Sequence, residues 1–390
     1  MFLQLDTWKK QVNKWPFIIL ILWVFFVANP NHSLATVDKL DISGSLENGF
    51  RLYDLNPDFT LYKYPETEEL ITQRLKLKYN LDDNWEIKYK GTAFWSNNTT
   101  GHSMDNADNY YKINNFYIEG NANENLFVAL GKQRIAWGEA LVWNPTDFLD
   151  PAKSIFDLKN SDTGVRALRL DYQIESYTFT SVNLFTNLFK NHQNALKFKN
   201  IMGASQYAIA YTFGENIRSK YGVDFALTYL KDHIVYAEAA GQTGSDIKTE
   251  QDKNYYSYVL GWNYSVPGES NTMFRVEYFH NDEGFNSWQD YLISATTNPV
   301  VANLPQAGIM SDYIYVGLNH DLISRCQLQG LLVYDIKDQS FMIIPLISYN
   351  IKDNIYLDTK FYLTGGNNSL SEFKQLPFRE ALESVLKIYF

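Results

Sequence analysis

One cysteine in 390 residues removes whole classes of protein at the outset. Cys326 has no partner for an intrachain disulfide, and it lies far from any position where a lipoprotein would be acylated. Histidine is nearly as sparse. Beyond the first 35 residues His102, His192, His233, His280 and His320 stand singly, without the spacing of a metal site. No Gly-x-Ser-x-Gly elbow occurs. A lipid-acting barrel enzyme needs Ser, His and Asp or Asn together. His280 beside Asn281 and Asp282 is the candidate by residue type, and a solvated strand end is the simpler explanation. No catalytic residue, metal or cofactor is therefore expected. Past residue 27 there is no long apolar run, so no membrane helix is expected either. A basic excess is missing too. The net charge is −10, and about −12 without a leader of charge +2, which argues against nucleic acid as a partner. Local basic faces remain free to meet phosphate surfaces.

What is present begins with a leader. Lys9, Lys10 and Lys14 precede an apolar core of 11 residues, 17–27, and Ser33-Leu34-Ala35 offers a small-x-small cleavage site. This is the layout of a secretory signal peptide over 1–35, with one domain over 36–390. The composition is then dominated by rings: 28 Tyr, 25 Phe and 9 Trp. Alternation recurs along the chain. Leu75, Leu77 and Tyr79 alternate with Arg74, Lys76 and Lys78; Ile87 and Tyr89 alternate with Lys88 and Lys90. Leu168, Leu170 and Tyr172 alternate with Arg169 and Asp171; Phe274, Val276 and Tyr278 alternate with Arg275 and Glu277. Period two puts each set on its own face of a sheet.

A soluble sandwich alternates as well, so three further features decide. Aromatics gather near strand ends, as at Tyr110-Tyr111 and Tyr255-Tyr256. Short polar connections tend to alternate with long ones (96–109, 138–162, 282–311, 365–377). The last strand carries Leu386, Ile388 and a terminal Phe390, which resembles the C-terminal signal read by the outer-membrane barrel assembly machinery. The reading is all-β: a transmembrane antiparallel β-barrel in the outer membrane of a Gram-negative-type cell, bathed in outer-membrane lipid. A direct count gives 17 strands. One more near 195–202 restores consistent up-down parity and makes 18, with 16 as the alternative even number.

Charged side chains on the lipid face are costly, so those in the strands are placed in the lumen. The expected lining is Arg74, Lys76, Lys78, Lys88, Lys90, Arg169, Asp171, Arg275 and Glu277, with Asp224, Glu238, Asp358 and Lys360. Leu126, Val128 and Leu130 share parity with Lys132 and Arg134. Either a bulge at Gly131 switches the face or the aliphatics point inward, and in both cases the basic pair is placed inside. The 138–162 connection is expected to fold into the lumen as a constriction. Trp137 and Trp143 would pack it, and Glu139, Asp147 and Asp150 would hold it to Lys132 and Arg134.

The stretch GKQRIAWGEALVWNPTDFLDP carries a resemblance. It is similar to the signature of a family of bacterial porin-like barrels, Gly-[Lys/Arg]-Gln-x-[Ile/Val]-x-Trp-Gly followed by Asn-Pro-x-Asp and another Pro. Gly131, Lys132, Gln133, Ile135, Trp137, Gly138, Asn144, Pro145, Asp147 and Pro151 stand at those places. Related segments occur in alginate-export-type barrels. The resemblance implies a diffusion channel for small polar solutes, or else an export pore for an acidic polysaccharide. An adhesin or a lipid-acting enzyme is the reading outside transport.

Overall fold

Strand follows strand from Leu40 to Tyr389 in this computed structural model, which describes residues 39–57, 64–98, 110–149, 163–185, 192–215, 217–268, 271–302, 304 and 308–390. The leader read over 1–35 lies outside the described residues. The strands are β1 (Leu40–Leu55), β2 (Thr67–Asn80), β3 (Trp85–Ser96), β4 (Tyr110–Asn123), β5 (Leu126–Gln133) and β6 (Val165–Ile174). Next come β7 (Tyr177–Phe185), β8 (His192–Met202), β9 (Ser205–Gly214), β10 (Lys220–Tyr229), β11 (His233–Thr243) and β12 (Asn254–Val266). The last six are β13 (Thr272–Asn281), β14 (Asp312–Ile323), β15 (Cys326–Asp335), β16 (Ser340–Lys352), β17 (Ile355–Gly366) and β18 (Phe378–Tyr389). Each pairs antiparallel with its successor, and β18 pairs back onto β1 from Ser45↔Tyr389 to Leu55↔Phe378. Among the described residues eighteen strands therefore close on themselves, and no strand edge is left unpaired. The strand required by parity is β8, which begins three residues before the expected 195.

Burial is inverted relative to a soluble protein. On β10, Val223 is 51% exposed and Phe225 41%, while Asp224 between them is 3% exposed. Ile209 and Leu260 continue the exposed apolar face, and Glu238 and Glu277 are buried on the other side. Apolar side chains outside and charged ones inside are stable only if lipid, not water, surrounds the barrel. This is the build of a transmembrane β-barrel. The seam is stitched from within: Arg51 of β1 lies 2.5 Å from Glu383 of β18 and 3.4 Å from Glu68 of β2.

The connections sort by end. At one end they run two to five residues, as at 81–84, 230–232 and 353–354. At the other end lie 134–164 and 282–311. The latter holds α1 (Trp288–Thr297), whose first turn is capped by Ser287 accepting from Asp290 N–H, and α2 (Pro299–Ala302). Phe285, Trp288, Tyr291 and Met310 from this connection pack with Ala140, Val142 and Phe373 in one apolar cluster. Residues 42–390 form a single compact unit.

Candidate functional site

The 134–149 segment meets wall side chains from strands six and eight positions away. Glu238 on β11 accepts from the backbone N–H groups of Glu139 (2.5 Å), Ala140 (2.6 Å) and Thr146 (3.3 Å), and from the Thr146 hydroxyl at 2.9 Å. Glu277 on β13 accepts from the N–H of Leu141 at 2.6 Å and of Val142 at 3.1 Å, and from the Tyr236 hydroxyl at 2.7 Å. Two buried carboxylates thus satisfy the polar backbone of a segment without secondary structure of its own. The Trp143 ring lies flat on Phe279, with centroids 5.0 Å apart and planes 4° apart, and stacks on Tyr313 at 5.1 Å. Trp137 is buried in a second cluster with Ile135, Leu149 and Val182, and the Lys197 ammonium stands 5.7 Å from its ring centre.

The expected anchoring joins acids on the connection to Lys132 and Arg134. Asp147 accepts from Trp137 N–H on its own segment at 3.1 Å. The Glu139 carboxylate lies 3.9 Å from Lys199 of β8. Asp150 lies outside the described residues. Lys132 does not reach the interior. Its register partners are Phe116 and Arg166, and the neighbouring pair, Leu130 opposite Ile118 and Leu168, lies on the lipid-facing side. No register shift occurs at Gly131; the only irregularity between β4 and β5 is at 121–123. Alternation simply continues to the rim, where a cation costs little because headgroups and water are near. Arg134 is exposed between the buried Gln133 and Ile135.

The remaining charged positions fall into two groups. Lys78 and Lys88 reach Glu86 at 2.7 and 2.5 Å, and Lys88 also reaches Glu119 at 2.5 Å. Arg169 is paired with Asp171 at 2.6 Å. Arg74, Lys76, Lys90 and Arg275, with Lys360 and Lys387, instead line a cavity of about 540 Å³ that Leu141 borders. Its acids are Glu47 and Asp358. Glu47 bonds Arg74, Asp358 holds Lys387 at 2.8 Å, and Glu383 outside the lining holds Lys360 at 2.8 Å, which still leaves more cations than acids around the cavity. On β18, Leu386 pairs Asn48 and Leu357, Ile388 pairs Leu46 and Ile355, and the Phe390 and Gly44 backbones bond each other.

Alternation alone does not reveal Glu238 and Glu277 as anchors, because their donors are backbone N–H groups that leave no trace in side-chain identity. Lys197 and Lys199 lie in the strand expected near 195–202 and were not singled out from the sequence. At His280 the two ring nitrogens face Asp312 (2.8 Å) and Asp282 (3.0 Å), and Ser311 donates to Asp312 rather than to the ring. No nitrogen is left to activate a serine.

The sequence matches no protein-family model and no curated protein. The fold has many likenesses. Acinetobacter baumannii OccAB2 superposes with a TM-score of 0.60 at 11% identity, over 91% of this chain and 99% of that one. A BenF-like porin from Pseudomonas fluorescens Pf-5 gives 0.57 at 10% identity, over 90% and 98%. Wzi of Escherichia coli, an outer-membrane protein involved in group 1 capsule assembly and described as a carbohydrate-binding β-barrel, gives 0.56 at 11%, over 93% and 87%. The chain has a porin-like outer-membrane barrel fold. The likeness is one of fold.

Proposed function

We propose that this protein is an outer-membrane channel through which small polar solutes diffuse, narrowed by the 134–149 segment. The observation that carries the reading is the anchoring of that segment, by Glu238 and Glu277, across the inner wall beside a positively lined cavity. A barrel of this strand number is wide enough to leave an aqueous lumen, so a fixed crossing segment sets what passes. Charged walls around water admit solutes by sign as well as size. The lining favours small anions over cations. Planar-bilayer recording of the purified protein tests this directly: stepwise conductance with a reversal potential favouring anions is expected, and an absence of steps refutes it. Passage of an acidic polysaccharide draws on the same basic lining. Block of the steps by an acidic oligosaccharide, with no permeation of simple anions, would replace the diffusion reading with that one.

A further inference from the structure

Lys132 and Arg166 are direct register partners on the outer face. They stand at the end of the barrel that carries the 134–164 connection. Lys132 donates from its ammonium to the Ile113 carbonyl at 2.6 Å, and Arg166 is exposed. Lys112 is near enough to add its charge to that of Lys132. Like charges opposite each other weaken a strand pair, so the arrangement lacks an anion. Among the described residues no carboxylate pairs with Lys132 or Arg166. Inside the barrel, by contrast, Arg51, Lys88, Arg169 and Lys197 each have an acid. Phe116 (57% exposed) is the register partner of Lys132 on β4, and Leu130 (48%) with Leu168 lies one outward position further from the rim.

Position decides which anion is supplied. The penalty for a lipid-facing cation falls steeply from the midplane to the interface, which puts this pair in the headgroup layer at the long-loop end. On the outer-membrane reading given above, that layer belongs to the outer leaflet. We propose that Lys132 and Arg166 bind the phosphate groups of a phosphorylated glycolipid of the lipid A class, whose acyl chains lie along Phe116, Leu130 and Leu168. Arginine offers phosphate two parallel donors and lysine adds a point charge, so the two together fit a phosphate set on an apolar tail.

The test uses the full-length protein in detergent, with the folded barrel verified by circular dichroism for every variant. Native mass spectrometry is run with bis-phosphorylated lipid A, with the same lipid stripped of both phosphates, and with inorganic phosphate. The wild type should retain lipid A, and Lys132→Gln with Arg166→Gln should retain about thirtyfold less. Lys132→Arg should retain it nearly as the wild type does. The stripped lipid should bind the wild type no better than lipid A binds the double variant, and inorganic phosphate alone should not stay bound. Unchanged retention by the double variant overturns the site. Equal retention of the stripped lipid overturns it as well, and so does capture of phosphate without lipid. Conductance of the same preparations separates this proposal from the pore. A double variant that conducts and keeps lipid A refutes the lipid site alone. A wild type that binds lipid A yet never conducts refutes the pore alone.

Discussion

Glu238 and Glu277 act on the 134–149 segment as a capping residue acts on a helix end: each offers two oxygens to N–H groups with no other partner. Charge-assisted bonds of this kind contribute about 1.5–3 kcal/mol each, and a buried N–H left bare costs a similar amount. Glu238→Ala or Glu277→Ala should therefore free the segment. The expected result is larger, noisier single-channel steps in a barrel that still folds, and wild-type steps from both variants would refute the anchoring. Gly138 tests the same contact from the other side. Its φ is +88°, and a Cβ there would lie 2.6 Å from Glu238 Oε1. Gly138→Ala should cost about 1–2 kcal/mol for the left-handed backbone alone, before the clash is counted. It should reproduce the noise of Glu238→Ala, whereas Gly203→Ala, at a turn with open space around it, should not. At this scale the sequence was only half legible. Trp137 and Trp143 stood out by type, but an inward carboxylate reads the same whether it faces water or a backbone.

The strands were the most legible level, because period two fixes which residues share a face. What alternation does not resolve is depth. Arg74, Lys76 and Lys90 line the cavity, while Lys78 and Lys88 share Glu86 nearer the short-turn end. Reversing Lys76 and Lys90 to Glu should therefore shift ion selectivity towards cations more than reversing Lys78 and Lys88. The shift should shrink in concentrated salt, as the Debye length falls from ~10 Å at 0.1 M to ~3 Å at 1 M. Equal shifts at low salt would show that position along the lumen does not decide the field. Depth also explains Lys132, whose inward placement rested on a midplane cost that does not apply at the rim. Three long-loop-end connections meet at another element-level feature, the short 3-10 helix Glu372–Gln375. The Glu372 carboxylate accepts from Gly308 N–H (2.7 Å), Ile309 N–H (3.0 Å) and the Tyr313 hydroxyl (2.7 Å), and its own N–H bonds Asp338. Burial pushes its carboxyl up to about 7 against those donors, and the Asp338 charge adds to the rise. The folded state thus holds a proton that the unfolded chain releases near pH 4.5. The stabilisation is complete below that pH and is lost as pH rises through about 7, by at most about 3 kcal/mol. Thermal unfolding should show the wild type more stable at pH 5 than at pH 8, with a smaller difference between the two in Glu372→Gln. A wild type flat over the same range would show that the carboxyl titrates normally.

For the whole molecule, class and strand number were legible because a barrel couples them. Apolar-out alternation, a single cysteine and up-down parity all had to be satisfied by one closed sheet of eighteen strands. The path of a connection obeys no such rule. It depends on contacts between residues about a hundred positions apart, as between Ala140 and Glu238. The 134–149 segment contributes apolar surface to both internal clusters, through Ala140, Val142 and Trp143 in one and Trp137 and Leu149 in the other. Its removal should therefore do two separable things. Deleting 141–149 takes away the Leu141 edge of the cavity and the Trp143 stack, so conductance should rise by at least about twofold towards that of an open barrel of this size. The sheet is closed by strand pairing and the Glu383–Arg51–Glu68 seam, none of which the deletion touches, so the barrel should still fold and insert. Selectivity should weaken at the same time, because solutes in a wider lumen pass farther from Lys76 and Lys90 than a Debye length reaches at high salt. A correctly folded deletion variant with unchanged conductance and unchanged selectivity would mean that 134–149 does not stand in the conducting path.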